Sequence, residues 1–391
     1  MRRSTERILT THAGSLPRPD ALLPLIRQKA QGEAVDEAAF SARVEEAVAE
    51  TVRRQTDAGI DVVCDGEQGR VGFIPYVNER LDGITPSATV EAANYWGLSR
   101  EYQAFPAFYA WAAQMPGVAG QTGRTRWVCT GPVSYKGHAA LRRDIDTLKA
   151  ALAGQPHVEA FMPAVSPSNL ANWNRNEHYK SEADYLAALA DALRDEYQAI
   201  IDAGLVLQID DPLLASYYVM HPEADIADCR NWAAERIEIL NHALRGLPED
   251  RIRYHTCYSI NIGPRVHDME LRHIVDLLLT INAGAYSFEA ANPRHEHEWQ
   301  VWEGVKLPEG KSLIPGVITH SSNIVEHPEA IAQRIARFAG AVGRENVIAG
   351  ADCGFASFAS TCEVHPSVVW VKLQALTEGA RIASRQLWRR S

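Results

Sequence analysis

The chain of 391 residues is 46% hydrophobic and 23% charged, an ordinary globular composition that excludes disorder over most of its length. Its 39 Lys and Arg against 49 Asp and Glu leave a net charge of −10, the wrong sign for a general nucleic-acid binder. No apolar run approaches the roughly 18 residues of a membrane span, and the basic start at Met1-Arg2-Arg3 has no apolar stretch behind it, so neither a membrane partner nor a signal peptide is expected.

Short apolar runs bounded by turn residues recur along the chain. They are Ile8–Thr11, Asp61–Cys64, Arg126–Cys129, Glu159–Met162, Leu205–Ile209, Ile252–His255, Ala285–Phe288, Leu313–Val317 and Asn346–Ala349. Such runs read as strands buried on both faces. Apolar residues at three-to-four spacing between them predict helices over Tyr185–Ile201, Asp228–Leu244 and Pro328–Val342. Alternation of this kind implies a parallel sheet, closed or open. An open doubly wound sheet favours a Gly-rich phosphate loop after its first strand, and neither GxGxxG nor GxxxxGK[ST] is present. The expectation is an α/β fold, one (β/α)8 TIM barrel over 1–391. Nine runs compete for eight positions, and Arg126–Cys129 is the one placed outside. The stretch 71–125 breaks the alternation and carries Tyr76, Tyr95, Trp96, Tyr102, Phe105, Phe108, Tyr109 and Trp111. It is expected to be a mostly helical insertion after the second strand, either packed on the rim or acting as a lid.

Polar residues gather just past the C-terminal ends of the predicted strands, where a barrel assembles its chemistry: Ser15, Glu67, Asp210, Asp211, His255, Cys257, Glu289, His320 and Cys353. His255 and Cys257, two residues apart, face the same way on a strand. With Glu289 and Cys353 they form an N, S, O, S set that suits tetrahedral Zn²⁺. On the residues alone, unrelated core thiols match the pattern equally well. A rival set, His295-Glu296-His297-Glu298, follows Pro293 and reads as an exposed polar turn. Cys64, Cys129, Cys229 and Cys362 read as inert core thiols in a cytoplasmic chain. Thiolate-rich ligation keeps a bound sulfur nucleophilic while lowering its pKa, which points to alkylation of a substrate thiol.

These residues together resemble the catalytic barrel of cobalamin-independent methionine synthase. The motifs, in order, are Thr11-His12-Ala13-Gly14-Ser15-Leu16-Pro17, Asp65-Gly66-Glu67, Gln208-Ile209-Asp210-Asp211-Pro212, His255-Thr256-Cys257-Tyr258-Ser259, Glu289, Ile318-Thr319-His320-Ser321 and Asp352-Cys353-Gly354. The resemblance implies zinc on His255, Cys257, Glu289 and Cys353, an amino-acid thiol gripped by Ser15, Glu67 and Asp210, and His320 as proton donor or relay near the leaving group. It also implies a pterin stacked on Trp173, the last residue of Ser166-Pro167-Ser168-Asn169-Leu170-Ala171-Asn172-Trp173, although the family's glycine before that proline is replaced here. Asp211 stands where the family has Glu, and Ser216 falls near an acidic position of the family. The partners implied are a small-molecule thiol, homocysteine first, and a methyl or alkyl donor. Assembly as a homo-oligomer is left open. Alternatives within the resemblance are an epoxyalkane:coenzyme M transferase, whose sulfonated thiol would call on Arg18 and Arg70, and a metal-free lyase like uroporphyrinogen decarboxylase. A salt bridge to Arg70 or a helix cap would be the purely structural use of Glu67 and Asp210.

Overall fold

The structure, a computed structural model, describes residues 1–87, 96–114, 126–258, 263–359 and 364–389. Within the motifs and regions named above, 88–95 and 115–125 of the insertion, Ser259 and Cys362 lie outside the described residues.

Eight of the nine apolar runs become the strands of one parallel sheet: β1 (Leu9–Thr10), β2 (Val62–Val63), β3 (Glu159–Val165), β4 (Val206–Asp210), β5 (Ile252–His255), β6 (Ala285–Phe288), β7 (Ser312–Ile318) and β8 (Ile348–Ala351). From β2 to β8 each strand pairs with its neighbour in sequence, and β8 returns to β1 with Leu9 opposite Ile348. The seam between β1 and β2 is joined more thinly. Asp61 N donates to Thr10 O at 3.2 Å, Thr11 Oγ1 donates to Val62 O at 2.9 Å, and the Asp61 carboxylate accepts from Thr10 N at 2.9 Å. The result is a (β/α)8 barrel. Strands β5 to β8 are buried at every position, as strands with one face in the barrel interior and the other under helices must be.

The helices fall where periodicity placed them, at Glu182–Asp202, Ile226–Leu244 and Pro328–Val342. Their true starts are set by caps, which apolar spacing does not report. Ser181 accepts from Asp184 N at 3.1 Å, and Asp225 with Asp228 forms a reciprocal capping box. Each cap contributes about 1 kcal/mol by satisfying an orphan N–H. None of the described helices is long and apolar enough to cross a membrane.

The Arg126–Cys129 run does lie outside the barrel. It belongs to Arg126–Tyr135, the middle strand of a separate three-stranded sheet with Leu81–Ser87 antiparallel on one side and Asn174–Asn176 parallel on the other. The insertion therefore contains a strand besides its helices Phe73–Asn78, Arg100–Ala104 and Pro106–Ala112. Asp82-Gly83 and Pro86 disguise that strand as a turn. Gly83, at φ +76°, sits at a register shift where a Cβ would collide with the Pro132 carbonyl. The middle of the insertion is anchored to the barrel. Arg100 Nε donates to Tyr218 O at 2.9 Å, and the fully buried Glu101 carboxylate accepts from His267 N at 2.8 Å and Arg265 N at 3.2 Å.

The segment His295-Glu296-His297-Glu298 corrects the expectation of an exposed turn. Only His297 is exposed and Glu296 is half-buried, whereas His295 and Glu298 are buried. His295 bridges Glu298 through Nδ1 (2.8 Å) and Asp268 through Nε2 (3.1 Å), and its ring stacks on Tyr258 at 4.0 Å. Charge from Pro293 onward suggested solvent, but opposite charges paired in three dimensions can be buried. Burial lowers the imidazole's pKa, yet the hydrogen bonds to Asp268 and Glu298, with the nearby charge of Glu289, carry it up to about 9. A pKa raised on folding stabilises fully below the unfolded value near 6.5 and is lost as pH rises through about 9. Arg265, paired with Asp268, is the other cation in the cluster. Denaturant titrations should therefore show wild type losing on the order of 3 kcal/mol against His295→Gln between about pH 6 and about pH 10. A constant gap between the two proteins would refute a charged His295.

Candidate active site

Every polar residue picked out past a strand end lies on the C-terminal rim of the barrel. One cavity there is lined by Ser15, Glu67, Asp210, His255, Cys257 and Cys353 together with Ala13, Phe73, Asn169, Asn172, Trp173, Pro212, Leu213, Ser216, Met220, Gly354, Ser357 and Phe358. Ser15, Glu67, Asp210 and Trp173 thus share a pocket with three of the four expected metal ligands. Glu289 and His320 stand beside it.

The carboxylate side is built by tight turns. After β2, Gly66 and Glu67 both take left-handed backbone, at φ +66° and +58°. For glutamate this conformation costs on the order of 1 kcal/mol or more. Asp65 holds the turn by accepting from Glu67 N at 2.9 Å. Glu67 Oε2 is buried and has no hydrogen-bond partner among the described residues. Gly14, at φ +129°, lets the chain pass so close that a Cβ there would sit 3.0 Å from Glu67 Oε1. Neither carboxylate serves the structural role considered above. Glu67 makes no ion pair with Arg70 among the described residues, and Asp210 accepts a 2.6 Å hydrogen bond from Gln208 Nε2 and caps no helix. Burial pushes the Glu67 carboxyl up, only partly offset by Arg70 and Arg18. Burial and the negative charge of Glu67 push Asp210 well up. Two carboxyls forced upward in one pocket are set to receive a cationic group.

On the sulfur side, His255 N, Cys257 S and Cys353 S lie within 4.8 Å of one another, and the two sulfurs are 3.2 Å apart as free thiols. His255 Nδ1 meets Ser287 Oγ at 3.0 Å, while Nε2 is buried without a partner among the described residues. Burial, with Arg253 and His320 nearby, lowers His255 to about 3, so its ring is neutral and able to act as a ligand. The hydrogen bond with Cys257, together with burial, pushes Cys353 well up, so its thiol is protonated without a counter-ion. A neutral imidazole nitrogen aimed at two buried thiols fits a borderline-soft cation.

Glu289 is not in that cluster. It groups instead with His320 and Asp352, whose ligand atoms also lie within 4.8 Å of one another. Its Oε1 accepts from Tyr258 N at 2.8 Å, and Oε2 accepts from Asn292 Nδ2 at 2.8 Å and pairs with Arg265 at 2.8 Å. Asp352 fixes this corner by accepting from the backbone N–H groups of Ala290, Ala291 and Asn292.

Several features were not found from sequence. Asp211 does not line the cavity; its carboxyl, raised to about 7 by burial, accepts from Asn169 Nδ2 at 3.3 Å. Asn169, Asn172, Phe73 and Phe358 do line it, and no motif spacing marked them. Arg253 and Gln208 stand behind the pocket. A charge inside the otherwise apolar Ile252–His255 run was the available signal for Arg253.

A parallel (β/α)8 barrel with a buried imidazole–dithiol cluster and two cation-seeking carboxyls on its C-terminal rim is the framework of a transferase acting on a small thiol. Comparison with known proteins agrees. Residues 8–106 and 122–369 match the family described as the catalytic domain of cobalamin-independent synthase, and the chain belongs to that family of methyltransferases. It is 24% identical over 387 residues to a methionine synthase of Saccharolobus islandicus, covering 97% of this chain and 96% of that protein. A methionine synthase of Thermococcus kodakarensis is 23% identical over 382 residues, covering 97% and 94%. Among solved structures, a B12-independent methionine synthase from Shewanella sp. W3-18-1 in complex with selenomethionine superposes with a TM-score of 0.72 at 21% identity, covering 97% of this chain and 99% of that one.

Proposed function

We propose that this chain is a zinc-dependent methyltransferase that methylates homocysteine to methionine in the cytoplasm, on a single barrel unit. The observation that carries the reading is the meeting, in one cavity, of His255, Cys257 and Cys353 with the carboxyls of Glu67 and Asp210, which make no ion pair among the described residues. His255, Cys257 and Cys353 would hold Zn²⁺, with Glu289 as the fourth ligand. A zinc ion so held supplies Lewis acidity that favours the thiolate form of a substrate sulfur at neutral pH.

The chain's own residues do the rest. Glu67 and Asp210 receive the α-ammonium group in charge-assisted hydrogen bonds, and Ser15 addresses the amino-acid head from the β1 side. Trp173, Phe73, Phe358 and Met220 line the remainder of the cavity with Asn169, Asn172 and Ser216, an uncharged wall for the methyl donor. The substrate sulfur attacks the methyl carbon in line. A new S–C bond forms, the bond from carbon to the leaving atom breaks, and His320 supplies the proton that atom needs. His320→Ala should therefore keep its metal and lose about 10²-fold or more in turnover, read from steady-state rates beside metal analysis. Loss of metal in that variant would make His320 a ligand instead.

The coenzyme M alternative is disfavoured by where its cations lie. Arg18 is spent on the carbonyls of Ala356, Glu67 and Arg70, and Arg70 donates to Pro163 O. Neither lines the cavity. Titrating homocysteine and coenzyme M into the cobalt-substituted protein tests the choice. A sulfur-to-cobalt charge-transfer band with homocysteine alone supports the proposal; a band with coenzyme M alone reverses it.

A further inference from the structure

Asp210 has one oxygen, Oδ1, held within the fold by Gln208 Nε2 at 2.6 Å, and its carboxylate lines the cavity. What holds it lies in the barrel interior. Arg253 on β5 is 1% exposed and reaches across to the opposite side of the barrel. Its Nη1 donates to Thr11 Oγ1 at 2.9 Å, Nη2 donates to His12 O, and the guanidinium lies 3.7 Å over the Phe161 ring. Its Nε donates to Gln208 Oε1 at 2.6 Å. No ion pair among the described residues includes Arg253, and it does not line the cavity. A buried cation whose only partners are neutral acceptors is costly to keep.

The geometry assigns Arg253 as a positioning residue for amino-acid recognition, acting through Gln208 to fix which face of Asp210 meets the incoming ammonium group. A guanidinium donates only and stays charged at neutral pH, so the oxygen of the Gln208 amide must face Arg253. The amide nitrogen is then forced toward Asp210 Oδ1, at 2.6 Å, and toward Ala13 O. The flipped amide would set donor against donor at Arg253 and oxygen against carboxylate at Asp210. One orientation survives, Asp210 Oδ1 is occupied within the fold, and Oδ2 is left for substrate. The positive charge behind Gln208 also favours the anionic carboxylate. This inference rests on the reading of the cavity as an amino-acid thiol site.

The test compares homocysteine with 4-mercaptobutanoate, which keeps the thiol and carboxylate and lacks the amine. Binding of each is read from the sulfur-to-cobalt band of the full-length cobalt-substituted protein, so no methyl donor is needed. Wild type should prefer homocysteine by at least about tenfold, because unpaired carboxyls penalise a ligand that leaves them unmet. Arg253→Met and Gln208→Leu should erase that preference while leaving 4-mercaptobutanoate binding and cobalt content within about threefold of wild type. Arg253→Lys, which keeps a cationic donor toward Gln208 Oε1, should retain most of it. Equal weakening of both thiols would mean a merely structural role and overturn the assignment, as would variants that keep the preference. If wild type itself shows none, the amino-thiol reading fails first. Should Arg253→Met not fold by circular dichroism, the near-isosteric Gln208→Glu carries the test, since it sets a second carboxyl against Asp210 and must lose the preference. Collapse of both assigns the pair to barrel packing and ends the proposal.

Discussion

Cys257→Ser and Cys353→Ser should each purify with far less than the roughly one zinc per chain expected of the parent, and activity should fall with the metal. A serine hydroxyl is a poor, hard ligand that stays protonated where a cysteine on zinc is a thiolate. Changes in outer-shell partners already cost about 10- to 100-fold in affinity, so loss of a direct ligand should exceed about 100-fold. The two sulfurs are 3.2 Å apart, and His255 Nε2 beside them has no partner among the described residues. Metal analysis after dialysis against a chelator checks the result. A variant retaining full zinc would remove that cysteine from the ligand set. The same measurement on Glu289→Gln decides the fourth ligand, because this carboxylate is bonded to Arg265, Asn292 and Tyr258 N rather than gathered with the sulfurs.

Asp210→Asn should raise the KM for homocysteine about 10- to 100-fold while zinc content stays whole. A hydrogen bond to a charged group is worth about 1.5–3 kcal/mol, and each 1.4 kcal/mol is a factor of ten. Glu67→Gln should act the same way, although its left-handed turn is preserved by Gly66 and Asp65. The pH dependence has a definite sign. Both carboxyls have raised pKa values, so part of the population is protonated at low pH and cannot hold an ammonium group. The KM should therefore fall as pH rises through their titration and flatten once both are ionised. Asp210→Asn should shorten that approach. A KM independent of pH and of both substitutions would show that the amino group is bound elsewhere.

Much of the barrel was legible because its signal is local. Strands buried on both faces are continuous apolar runs, and those over Ile252–His255 and Ala285–Phe288 were bounded to the residue. The strand Leu81–Ser87 was hidden because Gly83 and Pro86 carry turn chemistry that its partner, Arg126–Tyr135, overrides by pairing. Burial of His295 and Glu298 was equally hidden. Glu298 has its counter-charge in His295 three residues away, but the second carboxylate that completes the buried cluster, Asp268, is 27 positions from His295. In the candidate site, residues past strand ends could be picked out because a barrel gathers those ends on one rim. The second tier could not. Gln208, Arg253, Asn292 and Arg265 act by orienting another side chain, and orientation leaves no period or spacing in the chain.

The pairing of β1 with β8 has a bearing on how the protein comes into being. Ser15 follows the first strand and Cys353 the last. They meet so closely that Phe355 N donates to Ser15 O at 3.0 Å and a Cβ on Gly354 would strike the Ser15 hydroxyl. A ribosome delivers these halves of the pocket at opposite ends of its work. Nascent chains halted between the seventh and the eighth strand carry Ser15, Glu67, Asp210 and Cys257 and an open sheet edge, but lack Cys353. Closure of the ring and arrival of the second sulfur thus fall in the same last stretch of chain.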